Sequence, residues 1–242
     1  MVKLYEDTNI KAIADAIRAK NGTTNTYKTS EMAEAISALS AGVSLDDYFN
    51  SKIKEYSLPT VTKLKRYAFY QDNTIEKITM PSVTEIGAYA FNECENLVEA
   101  TLPETLTSIG NSAFNKCSNL EITEIPDSVT SIGQYAFFSC SKLSATSLPE
   151  NIAKIQSYTF YQCILLAISS IPASVTTIDS NAFSGCKGIT SLTFEGTPTS
   201  IKANAFEYCT NLLTINVPWA EGAVANAPWG ATNATINYNY VG

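Results

Sequence analysis

The sequence predicts an α+β repeat solenoid: a small two-helix module, then about seven coils of 22–23 residues, each carrying short parallel strands. Three observations predict it. Cysteines stand at 94, 117, 140, 163, 186 and 209, every interval being 23 residues. A phenylalanine lies three residues before each, at Phe91, Phe114, Phe137, Phe160, Phe183 and Phe206, and Phe69 opens the series. Proline closes an apolar run in six of the units, at Pro81, Pro103, Pro126, Pro149, Pro172 and Pro218. Self-similarity at a fixed period of ~20–50 residues marks a stacked array, and it outranks local propensity.

In register, one unit reads L-x-x-x-x-[LI]-P-x-x-V-T-x-I-G-x-x-A-F-x-x-C. Its first piece pairs Leu97 with Leu102, Leu120 with Ile125, Leu143 with Leu148 and Leu166 with Ile171. This is expected to be a strand with a middle inward residue at Ala100, Thr123, Thr146, Ser169, Leu192 and Ile215. On that reading Ile122, Ala145 and Ile168 point outward, on a face that runs from acidic (Glu99, Glu121, Glu124) to hydroxyl-rich (Ser144, Ser147, Ser170). Proline ends the strand because it has no N–H to donate. The β-branched V-T-x-I that follows predicts a second strand, and Gly87, Gly110 and Gly133 are expected to permit the turn out of it. The A-F-x-x-C segment is expected to be a helical turn or loop that drops Phe and Cys into the core. The first full coil is Leu58–Met80, with Asp72 in the cysteine position. A lone coil cannot bury its Leu, Ile, Phe and Cys; stacked on a neighbour, it can.

The units LPETLTSIGNSAFNKCSNLEITEI and IPDSVTSIGQYAFFSCSKLSATSL resemble the BspA-like (treponemal type) leucine-rich repeat, approximately LP-x-x-L-x-x-I-x-x-x-A-F-x-x-C-x-x-L. The resemblance covers about residues 53–217. It implies a right-handed leucine-rich-repeat solenoid, and a protein of the bacterial surface or exterior that binds host proteins or other cells.

One cysteine per coil (Cys94, Cys117, Cys140, Cys163, Cys186, Cys209), always three after the core Phe, reads first as a buried ladder of reduced thiols. Adjacent layers would bring Cα atoms to ~5 Å, within disulfide range, so cross-coil disulfides are the alternative. A metal or catalytic role is the weakest reading, since the spacing matches no metal-site pattern and reactive thiols need an electropositive, partly exposed setting.

Residues 1–43 do not repeat. Ile10, Ile13, Ala14 and Ile17 predict one amphipathic helix ending at Asn21-Gly22, and Met32, Ala35, Ile36 and Leu39 a second, capped by Thr29 or Ser30. Two such helices cannot sustain a core alone, so the module either caps the solenoid or attaches it to itself or to a larger assembly. The stretch IADAIRAKNGTTNTYKTSEMAEAISAL is similar to a helical element of tail and other virion proteins from phages of Gram-positive bacteria. That similarity implies other virion proteins as partners through residues 1–42. Residues 44–217 form the solenoid on this reading, and residues 218–242, with both tryptophans, its C-terminal cap; an aromatic platform for a sugar is the other reading of Trp219 and Trp229.

Net charge is −7 and no basic stripe occurs, which argues against nucleic acid, whose phosphates must be met by cations. No window of ~18 apolar residues occurs, so no membrane insertion is expected. MVKLYEDTNIKAIADAI lacks the apolar core and cleavage site of a signal peptide. The expected location is a phage tail, or else the cell surface or exterior. With no histidine in the chain, Ser-His-Asp and Cys-His sites cannot be built, and no phosphate loop occurs. No enzyme activity and no cofactor are expected. Binding of a protein or a cell-surface glycan is the remaining function: recognition of a bacterial surface ligand through the solenoid of a phage or prophage tail protein, with a cell-surface adhesin or an intracellular protein-interaction scaffold as the alternatives. Tyr67, Tyr70, Tyr89, Tyr135, Phe138, Tyr158, Tyr161 and Tyr208 lie beside the core Phe residues. Exposed, they suit a sugar ring or a protein partner; folded over the corner, they only seal it.

Overall fold

A computed structural model describes residues 54–242. The two helices expected in residues 1–43 lie outside the described residues. Within them there is no α-helix, and the α+β expectation reduces to a parallel-strand β-solenoid of about eight turns.

Two columns of short strands run up the stack. The first holds β1 (Glu55–Ser57), β3 (Lys77–Thr79), β5 (Glu99–Thr101), β9 (Ser170–Ile171), β11 (Ser191–Phe194), β13 (Thr214–Asn216) and β14 (Thr235–Asn237). The second holds β2 (Lys63–Leu64), β4 (Glu85–Ile86), β6 (Ser108–Ile109), β7 (Ser131–Ile132), β8 (Lys154–Ile155), β10 (Thr177–Ile178) and β12 (Ser200–Ile201). Every pairing is parallel and joins equivalent residues of adjacent coils, as in Ile86 opposite Ile109 and Ile109 opposite Ile132. Proline sets the turn between columns: the carbonyls of Pro103, Pro126 and Pro172 accept from the N–H of Leu106, Val129 and Val175, three residues on.

The third side of each coil is the A-F-x-x-C corner, which is neither strand nor helix. Its amides alternate in use. Those of Tyr89, Phe91 and Glu93 donate to the next coil, at Asn111, Ala113 and Asn115, while those of Ala90, Asn92 and Cys94 close turns within their own coil. The alternation needs left-handed backbone at two places per corner, as at Tyr89 (φ 59) and Glu93 (φ 60), Tyr135 (φ 58) and Ser139 (φ 57). The glycines expected to supply that freedom do something else. A Cβ on Gly87, Gly110 or Gly133 would lie 2.4–2.6 Å from the backbone of the preceding coil, so these residues are small because two main chains approach there.

The register of the first column also differs from expectation. Ile122, Ala145 and Ile168 are buried, and Thr123, Thr146 and Ser169 are exposed, the reverse of the assignment above. In coils built on Ile75, Leu97, Ile189 and Leu212 the middle core residue stands three after the first; in the three central coils it stands two after. Burying an apolar side chain rather than a hydroxyl decides the choice. No strand forms at residues 121–125 or 144–148. The first column therefore splits into a lower sheet, β1-β3-β5, and an upper sheet, β9-β11-β13-β14.

Inside the stack the phenylalanines from Phe69 to Phe206 lie nearly parallel, with ring centroids 5.1–5.6 Å apart. All six cysteines are free and buried, which removes the disulfide alternative. Each thiol points to one acceptor: Cys94 Sγ donates to Phe69 O (2.8 Å), Cys117 to Phe91 O (2.9 Å) and Cys140 to Phe114 O (3.0 Å), and the pattern continues to Cys209 on Phe183 O. Desolvation pushes the thiols of Cys94 and Cys209 up to about 12 and raises Cys117, Cys140, Cys163 and Cys186 as well. The C-terminal end is closed by Trp219 and Trp229, packed around Phe194 at 5.2 and 6.1 Å, with Trp229 Nε1 donating to Ala225 O (2.7 Å).

Two predictions follow from the core. Ile122→Ser removes a buried side chain and should cost about 2–4 kcal/mol in urea unfolding, while Thr123→Ala should stay within about 0.5 kcal/mol; equal losses would restore the other register. The thiols should resist Ellman's reagent near pH 8 until the chain is unfolded. Their folded pKa values lie above the unfolded value of ~8.5, so only the unfolded chain ionises between about pH 9 and 12. Stability should be unaffected by these groups below that window and fall across it, by about 1.4 kcal/mol per pH unit for each ionising thiol. The midpoint of urea unfolding, followed from pH 7 to 11, reads this directly.

Candidate recognition surface

The corner positions that flank the core Phe carry the eight aromatics singled out from the sequence. The structure gathers seven of them into two clusters. At the lower end Tyr67 stacks on Tyr89 (5.1 Å) and meets Tyr70 edge-on (5.3 Å). The Arg66 guanidinium sits 4.7 Å above Tyr67 and 5.3 Å from Tyr89, and donates to the Tyr67 hydroxyl (2.9 Å). At mid-height Tyr135 stacks on Tyr158 (4.8 Å) and Phe138 on Tyr161 (4.7 Å), a two-by-two block. Asn92 and Asn115 separate the clusters, and Asn115 Nδ2 donates to Asn92 Oδ1 (2.8 Å).

The rings thus cover one another along the axis. Tyr89, Tyr135, Phe138, Tyr158 and Tyr161 are half-buried, while Tyr67 and Tyr70 are exposed at the first corner. Tyr208 differs: it is 62% exposed, and no ring contact reaches it among the described residues.

Polar rows are satisfied the same way. In the second column Thr107 Oγ1 donates to Thr84 O (2.9 Å), Thr176 to Ala153 O (3.0 Å) and Thr199 to Thr176 O (3.0 Å). The exposed threonine row is a set of staples between coils. At the corner Gln71 Nε2 (2.7 Å) and Lys116 Nζ (2.6 Å) both reach Glu93, and these bonds, Lys116 first, hold its carboxyl below the ordinary range. Lys63–Glu85, Lys77–Glu99 and Lys142–Glu121 bridge neighbouring coils at solvent-facing positions, where each contributes little, and Lys154 bridges to the half-buried Asp179.

Concavities interrupt this covered surface at two places among the described residues. One, of about 340 Å³, opens where the strand of Glu99–Thr101 meets the first register-shifted coil; Glu99, Glu104, Glu121 and Glu124 line it. Glu121 N still donates to Val98 O (2.9 Å), but beyond it no backbone N–H of residues 122–125 bonds to the preceding coil. The sequence placed Glu99, Glu121 and Glu124 on one face without showing that a register change would part the coils there. The second concavity, about 190 Å³, lies beside Tyr208. Among the described residues no group of three or more Asp, Glu or Cys side chains is placed to hold a metal ion.

Comparison with known proteins accords with this geometry. The family model for the BspA type leucine rich repeat region matches in six copies, over residues 62–189 and 108–221. The crystal structure of a leucine-rich-repeat protein from T. pallidum is 30% identical, with a TM-score of 0.59 over 66% of this chain and 78% of that one. A leucine-rich-repeat protein from Bacteroides ovatus is 25% identical, with a TM-score of 0.46, covering 77% of this chain and 61% of its own. A comparison with curated proteins gave no match. The repeat, the parallel stack and the buried Phe and Cys rows agree: the chain belongs to the BspA-type leucine-rich-repeat family.

Proposed function

We propose that the chain is a non-catalytic recognition protein that meets a ligand on a bacterial surface through its coils, carried on the tail of a phage or prophage by residues 1–42. One observation carries the recognition part. Every thiol, the chain's strongest nucleophile, is buried, hydrogen-bonded and raised in pKa, whereas the irregularities of the stack open as concavities on the outside. A rigid scaffold with its reactive groups locked away and its recesses exposed suits binding. Carriage on a virion rests on the similarity of IADAIRAKNGTTNTYKTSEMAEAISAL to virion helical elements.

A second reading has its own support. Membership in the BspA-type family favours a cell-surface adhesin that binds host proteins or other cells. Labelled full-length protein, incubated with a panel of intact Gram-positive cells and compared with a version lacking residues 1–42, separates the two. Strain-selective binding retained by the shortened protein is the expected result. Binding to host matrix proteins with no bacterial binding would replace the virion reading by the adhesin. Absence of both would overturn recognition of surfaces.

A further inference from the structure

The concavity beside Tyr208 has a chemistry that the regular coils lack. It opens between the last coil and the C-terminal turn, lined by Glu207, Tyr208, Thr210, Gly230, Thr232 and Asn233, with the buried Cys209 at its base. Its volume, about 190 Å³, is below the ~300 Å³ of the smallest drug-sized sites and suits a single small ring.

Three features of its wall are independent of one another. The first is the free ring. One coil earlier the position of Tyr208 is Gly185, so no side chain stands there to stack on it, as Tyr135 does on Tyr158. The second is an unused donor. At this position of the corner every earlier amide donates to the next coil: Gln71 to Asn92 O (2.8 Å), Lys116 to Phe138 O (2.7 Å), Gly185 to Glu207 O (2.8 Å). The Tyr208 N–H has no acceptor among the described residues. The cause is the end of the repeat. Phe206 N–H still finds Trp229 O (2.9 Å), but the chain then turns away through Gly230 (φ 90), where a Cβ would come within 2.9 Å of Glu207 N. The amide direction shared by its row aims the Tyr208 N–H along the axis, toward the C-terminal turn and the cavity.

The third feature is a set of acceptors without a cation. Glu207 makes no ion pair among the described residues, unlike Glu85, Glu93 and Glu121. Asn233 Nδ2 donates to Thr210 O (3.1 Å), which leaves its side-chain carbonyl available, and the hydroxyls of Thr210 and Thr232 flank it. No Lys or Arg lines the cavity, which disfavours phosphate or carboxylate ligands. A quaternary ammonium prefers a cage of several rings, and only one is present. A pyranose needs a flat apolar partner for one face, and both donors and acceptors for its hydroxyls.

We propose that this cavity is a subsite for one neutral pyranose of a surface glycan. Tyr208 stacks on the apolar face of the sugar, Glu207 and Asn233 accept from its hydroxyls, and the Tyr208 N–H donates to a ring or hydroxyl oxygen. The proposal rests on the recognition reading and names its ligand class.

Saturation-transfer NMR on the full-length protein tests it, with glucose, galactose, mannose, rhamnose, N-acetylglucosamine and N-acetylgalactosamine as probes at millimolar concentration. Transfer to the ring protons of at least one sugar is expected. Tyr208→Ala should weaken that binding tenfold or more, Tyr208→Phe should retain it, and Glu207→Gln should reduce it several-fold. Circular dichroism melts should be unchanged, because Tyr208 is exposed and its ring touches no other. No transfer from any of the sugars, full binding by Tyr208→Ala, or saturation by tetramethylammonium or N-acetyl-lysinamide in place of a sugar would overturn it. Cell binding read in parallel keeps the two proposals apart: cells bound without sugar transfer reject the subsite alone, and sugar transfer that needs Tyr208 supports the subsite even where no cells are bound.

Discussion

The structure depends on the carbonyl of the core phenylalanine, which accepts twice. Phe91 O takes the Cys94 N–H of its own coil at 3.1 Å and the Cys117 thiol of the next at 2.9 Å. The first bond closes the corner; the second ties that corner to its neighbour. Strands here are only two to four residues long, too short to hold a stack alone. The corner ladder supplies the missing axial contacts, and it sets the repeat near the ~4.8 Å spacing of paired backbones. The Phe rings, the tyrosine stacks and the threonine staples all inherit that distance. Serine would keep a donor in the cysteine position but bury a stronger polar group with less apolar surface.

One consequence is that a regular coil has little left to offer a ligand. Many outward groups find a partner one coil away: ring on ring, hydroxyl on carbonyl, lysine on glutamate. Recesses, as distinct from single exposed side chains such as Leu165 and Leu213, open where the next coil fails to repeat. That happens where the middle core residue moves from Ala100 to Ile122, where it moves back between Ile168 and Leu192, and where the series ends after Cys209. The acidic concavity lies at the first of these places and the one beside Tyr208 at the last. Regularity gives this fold its rigidity, and interruptions give it its recesses.

The same reasoning says what could be read in advance. The Phe, Cys and Pro periods were legible because each is a residue type with one physical role, repeated in register. The inward register of coils three to five was missed by trusting spacing over chemistry: Ile122, Ala145 and Ile168 were the apolar members of their runs, and that was the available signal. The glycine role was not legible, since close approach of two main chains is a property of the stack. Nor was the pairing of aromatics, because a list of tyrosines does not say whether rings face water or one another. Tyr208, one of the eight aromatics named from the sequence, could have been set apart from the others, since Gly185 stands one repeat before it and offers no ring to stack on.

Affinity decides whether one small recess can support recognition. A single pyranose, at roughly −0.3 kcal/mol per heavy atom, gives about −4 kcal/mol and a Kd near the millimolar range. The stack is already ordered, so little of that is lost in folding the site around its ligand. A millimolar contact still cannot hold a particle or a cell alone. Presented in several copies on one body, it can, because each contact after the first is intramolecular and avidity rises by about 10²–10⁴. A sugar subsite at one end of a rigid rod therefore requires multivalent display. A repeated tail fibre and a crowded cell wall both provide it, and a free monomer in solution does not.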